Sequence, residues 1–444
     1  MRFRFSKKPV FDAKKGHLLL ALSALTFLLW LGASAILPML PLYLSSSGTS
    51  SFGVGIVMAS YYIGAVATQI PIGKLTDSIG ARPIIVGGLA LFSVASLAFA
   101  AGSGVWPAVI FRSIQGIGAG AVTVAAIVVI STEIDRGKKG ASLGVIYGSQ
   151  MIALAIGPVI GSLLGSASLK LLFIVAGLLG ILTAIGSAVF FLFAEKVNSD
   201  FVGDELISNL QDAYVIAGEN FATGGDSAEY RGELENHRSQ DISKAGKKYQ
   251  EFLQSLLFGR PVFVVGKDRW RFVAALSAFG VLGYLTGSYE ATWALYLHMR
   301  HASSFEIGLS WASFALPYAA LSIPAGYLAE HASKKIMIAI SLIWSGFFAA
   351  LYPEIRNIPL MIALAIFEAS GAVVASPAIT LVISQSADIK AQGRAQGRAE
   401  TVRTLFAGVG AAAAGSLFSL SYKLPFFVMA FLLVAIAILQ YGFL

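Results

Sequence analysis

The chain has 444 residues, of which 56% are hydrophobic and only 13% are charged, whereas soluble domains carry about 25% charged residues. So apolar a composition excludes an ordinary water-soluble protein and indicates that lipid surrounds much of the chain. The net charge of +8 does not indicate nucleic-acid binding, because the basic residues fall in short loops between apolar runs; the absence of cysteine excludes disulfides and thiolate metal sites.

Twelve apolar runs, each close to the roughly 20 residues that cross a bilayer as a helix, follow one another along the chain. They lie at 18–44, 53–73, 83–101, 106–131, 142–165, 171–194, 272–298, 306–328, 336–351, 358–384, 404–421 and 424–444. The sequence therefore predicts an all-α membrane protein with twelve transmembrane helices.

The first run follows a basic stretch, 1–15, and contains Ala33-Ser34-Ala35, which resembles a signal-peptide cleavage site. The run continues to Leu44, which is too long for the apolar core of a signal peptide. We therefore expect it to be retained as the first transmembrane helix.

The distribution of Lys and Arg predicts the orientation of these helices. Of the 32 basic residues, 27 fall on the side that also holds both termini, and four fall in the opposite loops. Because positive charge marks the cytoplasmic side, we expect a multi-pass protein of the cell membrane with both termini in the cytoplasm.

One long polar stretch, 195–270, separates six predicted helices in 1–194 from six in 271–444. Its mixed charge and its Gly and Ser content are typical of a flexible linker. Its segment 241–257 could form an amphipathic helix on the membrane surface. We expect a cytoplasmic linker between two six-helix halves.

The two halves resemble each other at a shift of 253 residues. Over 42–77 this shift gives 14 identities in 36 positions, among them Pro71 with Pro324. The halves are therefore predicted to be parallel repeats. Such repeats place a substrate site between them near the bilayer midplane, and rocking of one half against the other gives alternating access.

The segment 73–82, GKLTDSIGAR, resembles the signature G-x-L-x-D-x-x-G-x-R of the major facilitator superfamily. The resemblance implies a conformational latch in which a glycine lets two helices approach closely and a carboxylate binds a helix N-terminus or nearby basic residues. The latch residues are Gly73, Asp77, Gly80 and Arg82, with a degenerate second copy at Gly326, Glu330 and Lys335.

Two further segments resemble signatures of the same family. In the fourth predicted helix, 112–118 reads RSIQGIG, which is similar to R-x-x-Q-G-x-G. In the fifth, 144–161 resembles the signature of members that exchange substrate for protons, although Ala153 and Ser162 stand where glycines are usual. The matching positions are Gly144, Gly157, Pro158 and Gly161. The resemblance implies the drug–proton antiporter branch, although a Gly-Pro pair is also an ordinary cause of a helix kink.

Three charged residues fall inside predicted helices: Arg112 in the fourth, Glu290 in the seventh and Glu368 in the tenth. The resemblance implies that these helices line the central cavity. Charges within a bilayer are costly and mark ion pathways or proton relays. At a rise of 1.5 Å per residue, Glu368 lies about 15 Å from the start of its helix, near the midplane, and Glu290 about 27 Å from the start of its own.

We expect Glu368 to carry the proton and Glu290 to contact the substrate. Desolvation disfavours the charged form of a carboxylate, which suits a group that binds and releases protons. Alternatively, either carboxylate only pairs with a group such as Arg112. Further cavity residues are predicted at Tyr289 and Trp293, because aromatic faces beside carboxylates suit lipophilic cations. Gln115 is predicted as the clearest amide on the helices that the resemblance places around the cavity.

Together these patterns predict a secondary active transporter that exports small lipophilic compounds, cations among them, in exchange for protons. The alternative is a proton-coupled or facilitative carrier for a sugar or another metabolite. We expect no enzyme activity and no cofactor or metal, since no HExxH, phosphate-binding loop or His cluster occurs; the proton gradient would drive transport. The expected partners are a small-molecule substrate and the lipid bilayer, without nucleic acid, and we expect a monomer.

Overall fold

The computed structural model describes residues 13–102, 104–133, 139–192, 267–387 and 392–443. The regular elements in these ranges are helices, which form twelve successive spans, α1 to α12, with α1 and α10 each interrupted once. Their bounds are α1a Ala13–Ile36, α1b Met39–Ser46, α2 Ser51–Ile79, α3 Ala81–Ala101, α4 Val105–Glu133, α5 Lys139–Ala167, α6 Leu169–Leu192, α7 Lys267–Met299, α8 Ser304–His331, α9 Lys334–Leu351, α10a Ile358–Ala372, α10b Ala375–Gln385, α11 Gln392–Leu420 and α12 Leu424–Phe443. A 3₁₀ turn, Tyr352–Glu354, follows α9.

Eleven of these spans are long and apolar enough to cross a bilayer, and α8 meets the same condition as a helix bent by 55° between Ser322 and Pro324. The predicted all-α fold with twelve transmembrane helices is thereby confirmed. The largest difference from the predicted bounds is at α11, which begins at Gln392 instead of 404 because its polar first turns are helical too. Most of the predicted linker 195–270, with its segment 241–257, lies outside the described residues.

The two interrupted spans were not predicted from the sequence. The first interruption separates α1a from α1b at Leu37–Pro38, and the second separates α10a from α10b at Val373–Val374. Proline has no N–H, and its ring crowds the carbonyl four residues earlier. Pro38 lies in the first interruption and lacks the N–H that would bond the Ser34 carbonyl. The rings of Pro41 and Pro377 stand four residues after Leu37 and Val373, where the two interruptions lie.

The helix bounds of the second half repeat those of the first at the predicted shift of 253 residues. The helices α2, α3, α4 and α5 begin at Ser51, Ala81, Val105 and Lys139, and α8, α9, α10a and α11 begin at Ser304, Lys334, Ile358 and Gln392. The ends agree too, at Ser46 with Met299 and at Ala167 with Leu420. The repeat seen in 42–77 therefore extends through five spans of each half without an insertion.

The turn between α1 and α2 has the same geometry as the turn between α7 and α8. Main-chain hydrogen bonds close both turns in the same pattern, and a serine hydroxyl, from Ser50 or Ser303, caps the helix that follows. The left-handed position is occupied by Gly48 with φ +81° in the first turn and by His301 with φ +65° in the second. A side chain at such a position strains the backbone, which glycine avoids.

Replacing His301 with glycine should therefore stabilise the folded protein, by about 1 kcal/mol, because it removes the strain of a left-handed backbone. The measurement is the thermal unfolding midpoint of the purified protein in detergent, which should rise. Gly48→Ala, the opposite change in the equivalent turn, should lower it. A lower midpoint for His301→Gly would mean that the imidazole contributes more than the strain costs.

The halves meet where α2 packs against α11 and where α5 packs against α8. On α2, Gly55 lies directly against α11. A Cβ placed on Gly55 would stand 2.6 Å from the Ala411 carbonyl oxygen and 2.9 Å from the Gly415 Cα. This approach is possible because neither helix carries a side chain at the contact.

The repeat supplies the same contact a second time. Gly308 is the equivalent of Gly55, and a Cβ on it would stand 2.6 Å from the Pro158 carbonyl oxygen and against the Ser162 hydroxyl of α5. Pro158 and Ser162 are in turn the equivalents of the α11 residues that Gly55 contacts. Both contacts lie near the loops at 47–50 and 300–303, which we call the 47–50 face. At this face the two halves are closed against each other.

Gly55→Val should open the 47–50 face, because overpacking a close contact costs about 1–3 kcal/mol, which shifts a two-state population by about 5- to 150-fold. The chain has no cysteine, so a single Ala59→Cys can report the change. Ala59 lies one turn further along α2 and is 4% exposed. Its labelling by a membrane-impermeant maleimide should accelerate in the Gly55→Val background.

The control is Gly87→Val, because no atom lies within 4 Å of a Cβ placed on Gly87. Equal labelling rates in the two valine backgrounds would show that the Gly55 contact does not hold the face closed.

Candidate functional site

Glu368 of α10a is 1% exposed, and both of its carboxylate oxygens accept hydrogen bonds from phenols. The Tyr352 hydroxyl, in the turn after α9, donates to Oε2 at 2.8 Å, and the Tyr289 hydroxyl of α7 donates to Oε1 at 3.3 Å. Phenols satisfy the lone pairs of an ionised carboxylate, and they can also accept a hydrogen bond from a protonated one. The site is therefore chemically able to hold Glu368 in either form.

Aromatic rings enclose this carboxylate within the second half. Trp293 of α7 lies edge-on to Tyr352 at 4.9 Å and to Tyr289 at 5.6 Å between ring centroids. Phe426 of α12 lies 6.2 Å from Trp293, whose indole N–H donates to the Ser310 hydroxyl at 2.9 Å. Tyr289 and Trp293, both predicted as cavity residues, thus form the wall of the Glu368 site.

Glu290 follows Tyr289 on α7 and points in a different direction, because consecutive helical residues are about 100° apart. Tyr62, from α2 in the first half, lies within electrostatic reach of the Glu290 carboxylate. Arg112 of α4 and Arg403 of α11 both act on it electrostatically. Glu290 is half-buried and therefore stands where residues of both halves converge.

Arg403 has a carboxylate partner of its own. Its Nε donates to Glu400 Oε2 at 3.0 Å, one turn earlier on α11. Tyr318 of α8 lies within electrostatic reach of both Arg403 and Glu368. The groups around α7 thus include two carboxylates and two guanidinium groups on the side of Glu290, and a carboxylate among phenols on the side of Glu368.

Arg112 lies inside the first half. Its side chain is 2% exposed, its Nη1 donates to Gln115 Oε1 at 2.9 Å, and its guanidinium lies 4.5 Å above the centre of the Tyr61 ring. The Gln115 amide in turn donates to the Ser96 hydroxyl at 2.9 Å. An arginine buried in hydrocarbon needs such a partner. Arg112 and Gln115, predicted to line the cavity, are thus bound to each other in the interior.

The repeat aligns Gln115 with Glu368 at the shift of 253 residues. Each side chain is almost fully buried, and each is held by hydrogen bonds from its own half. The first half therefore carries an amide bound to an arginine at the position where the second half carries a carboxylate bound to tyrosines.

The segment in α5 that resembles an antiport signature lies at two helix contacts. Gly157 and Gly161 face α1, where a Cβ on Gly157 would stand 2.9 Å from the Leu31 carbonyl oxygen and one on Gly161 would meet Ala35. Pro158 faces α8 through the Gly308 contact described above. Gly144 is helical, and its surroundings lie outside what the structure describes.

The latch residues predicted near 73–82 fall at the end of α2 and the start of α3. Gly80 adopts φ +86° and ends α2, and Arg82 engages a partner. In the second copy, Lys335 Nζ lies 4.2 Å from the centre of the Tyr441 ring. The remaining latch residues are placed as follows: Glu330 is exposed and Gly326 half-buried, while Gly73 and Asp77 are helical with surroundings outside the described part of the structure.

Tyr62, Tyr352 and Arg403 are among the residues at the site that were not singled out from the sequence. Arg403 was assigned to a loop because the predicted eleventh helix began at 404, and Tyr352 stood just past the predicted ninth helix. The alignment of Gln115 with Glu368 at the shift of 253 residues could have indicated from the sequence that the two halves carry equivalent buried polar side chains. Among the described residues, no three His, Asp or Glu side chains come together as a metal site.

Two parallel six-helix repeats that span a membrane and bring charged residues together around α7 define the architecture of a secondary transporter. The sequence matches the Major Facilitator Superfamily over residues 22–300 and 285–444. The chain belongs to this family, and the resemblance drawn from the segments at 73–82, 112–118 and 144–161 is confirmed.

Individual relatives match over shorter stretches. The inner membrane transport protein YajR of Escherichia coli (strain K12) is 38% identical over 138 residues, which are 30% of this chain and 30% of the relative. The quinolone resistance protein NorA of Staphylococcus aureus (strain MRSA252) is 31% identical over 163 residues, 37% of this chain and 42% of the relative. The matched stretches thus span less than half the length of these relatives.

Solved structures match over almost the whole chain. A bacterial homologue of the human lysosomal transporter Spinster, in an inward-facing and occupied conformation, has a TM-score of 0.69 at 13% identity and covers 98% of this chain and 96% of its own. A POT family transporter in complex with a thioalcohol-conjugated peptide has a TM-score of 0.65 at 14% identity, with 95% of each chain covered. At these identities the likeness establishes the shared fold.

Gln115→Leu should destabilise the folded protein by about 1–3 kcal/mol, because it leaves the buried Arg112 guanidinium without its acceptor. The thermal unfolding midpoint should fall, whereas the KM for substrate should change little. Ser113→Ala is the matched control on α4, since the Ser113 hydroxyl donates within its own helix, to the Val109 carbonyl. An unchanged midpoint with a raised KM would show instead that Gln115 contacts the substrate.

Proposed function

We propose that the protein exports small lipophilic compounds, cations among them, in exchange for protons, by alternating access of a site between its two halves. The observation that carries the proposal is Glu368, a carboxylate that is 1% exposed and held by two neutral phenols. Membership of the Major Facilitator Superfamily and the partial match to a quinolone resistance protein support transport of this kind.

Glu368 is proposed as the proton carrier. A buried charge is stabilised most by an opposite charge or by several hydrogen bonds, and here both donors are hydroxyl groups. Glu368 is held by phenols and not by a cation, so no positive charge loses its partner when Glu368 takes up a proton. The aromatic rings of Trp293 and Phe426 keep the surroundings apolar, so that binding of the proton changes the local charge in a medium that screens it weakly.

Glu290 is proposed as the substrate contact. It lies where Tyr62 of the first half meets α7 of the second, so a substrate bound there touches both halves, as alternating access requires. Among the residues described at this junction, Glu400 already pairs with Arg403, which leaves the Glu290 carboxylate to attract a cationic substrate. Arg112 competes for this carboxylate from α4.

The protein is further proposed to lie in the cell membrane as a monomer, with the 47–50 face outside and both termini in the cytoplasm. The excess of Lys and Arg on the opposite face supports this orientation. In the conformation described here, the helix contacts at Gly55 and Gly308 close the 47–50 face.

The test is proton movement in proteoliposomes that carry an imposed pH gradient, with lipophilic cations and neutral sugars added one at a time. A lipophilic cation should collapse the gradient in the parent protein, and Glu368→Gln should reduce this flux to the leak of empty vesicles. Glu290→Gln should raise the KM for the cation about tenfold, a loss of about 1.4 kcal/mol.

Glu354→Gln is the control, because the Glu354–Lys423 ion pair lies near the 47–50 face and exposed pairs contribute about 0–1 kcal/mol. Proton-coupled transport that persists in the Glu368→Gln/Glu290→Gln double variant would overturn the assigned roles. Tracer uptake of a sugar or organic acid without proton movement would identify a facilitator or an importer instead.

A further inference from the structure

Two side chains of α9 bind the main chain of α10a on either side of Glu368. The Trp344 indole N–H donates to the Phe367 carbonyl oxygen at 3.0 Å, and the Ser341 hydroxyl donates to the Gly371 carbonyl oxygen at 2.9 Å. Phe367 immediately precedes Glu368, and Gly371 lies one turn beyond it. The backbone that carries the carboxylate is thus attached to α9 at two points.

The second attachment lies beside the interruption of α10. In a continuous helix, the Gly371 carbonyl would accept from the N–H of residue 375, but α10a ends at Ala372. Helix ends leave carbonyls that need other donors, and the Ser341 hydroxyl is such a donor. The absence of a side chain at Gly371 also admits the Trp344 ring, whose Cγ would stand 2.8 Å from a Cβ at this position.

The first half has neither attachment at the equivalent positions. Gly88 aligns with Ser341, and Leu91 aligns with Trp344. A Cβ on Gly88 would stand 2.8 Å from the carbonyl oxygen of Gly118, the equivalent of Gly371, so the helices are in the same contact without a side-chain donor. The helix α4 continues unbroken from Val105 to Glu133. At these equivalent positions, the two side-chain donors and the helix interruption are thus found in the half that carries the buried carboxylate.

We propose that Trp344 and Ser341 are positioning residues for Glu368: they fix α10a on α9 so that the carboxylate stays between Tyr289 and Tyr352. Tyr352 directly follows the last residue of the same helix, α9, so this helix positions both the backbone of α10a and one of the two phenols. This proposal rests on the proposed role of Glu368 as the proton carrier. It assigns a function in proton coupling to Trp344, which is 39% exposed on the outer surface of the bundle.

Among the described residues, the titratable groups that face Glu368 from the helices packed around it are phenols: Tyr289 of α7, Tyr318 of α8 and Tyr352 beyond α9. Arg403 of α11 acts electrostatically on Tyr318 but does not face Glu368 itself. A displacement of α10a would therefore change the hydrogen bonds to Glu368 before it changed any ion pair.

The experiment measures proton-coupled transport against pH in proteoliposomes. Trp344→Phe and Ser341→Ala should each move the midpoint of the pH profile by at least about half a unit, a threefold change in proton affinity. The movement should have the same direction as in Tyr352→Phe, which removes one of the hydrogen bonds directly. Substrate counterflow, which needs no net proton movement, should stay within about twofold of the parent.

Two controls separate positioning from a general loss of packing. Trp106→Phe makes the same change at an indole that is 76% exposed, and its profile should match the parent. Ser341→Thr keeps the hydroxyl and should restore the midpoint that Ser341→Ala shifts. In the Trp344→Phe/Tyr352→Phe double variant, the two shifts should be less than additive, because both act on the same carboxylate.

The outcomes distinguish this proposal from the one on which it rests. If Glu368→Gln remains fully coupled, both proposals fail. If Glu368→Gln is uncoupled while Trp344→Phe and Ser341→Ala keep the midpoint of Trp106→Phe, Glu368 carries the proton and the positioning role is wrong. Loss of counterflow together with coupling in both α9 variants would also overturn it, since the donors would then serve the fold as a whole.

Discussion

Hydrocarbon offers no hydrogen bonds, so each charge and each main-chain polar group within the spans needs a partner from the protein itself. Arg112 finds its partners in Gln115 and the ring of Tyr61, and Glu368 finds two phenols. The same requirement applies where α10 is interrupted, because a freed carbonyl there accepts from Ser341. A few polar side chains thus determine where a helix can bend and where a charge can lie.

The two halves share one scaffold and differ in chemistry. Three features recur at a constant shift along the chain: the starts of the helices, the turns before α2 and α8, and the glycine contacts at Gly55 and Gly308. At the equivalent buried position, the first half has Gln115 bound to Arg112 and the second has Glu368 bound to tyrosines. The symmetric parts include the close contacts between the halves, and the asymmetric parts include the buried carboxylate that we propose as the proton carrier.

The features that depend on hydropathy and on the internal repeat could be predicted from the sequence. Twelve spans, the repeat and the burial of Arg112 and Glu368 follow from hydropathy, from self-comparison and from the cost of charge in a bilayer. Partners on different helices could not be predicted in this way. Tyr62 lies near Glu290 from the other half, and Tyr352 donates to Glu368 from the turn after a neighbouring helix.

The interruptions of α1 and α10 were missed because proline is tolerated inside other spans, as Pro71 is in α2. The latch roles of Asp77 and Arg82 stay predictions.

The adjacent positions of Tyr289 and Glu290 have a consequence for how such a protein can evolve. One faces the carboxylate buried in the second half, and the other faces the junction of the halves. Substitutions around Glu290 can therefore accumulate without reaching the phenols and indole on the other side of α7. Under the proposed function, the residues that recognise the substrate can therefore change while the proposed proton site at Glu368 is inherited unchanged.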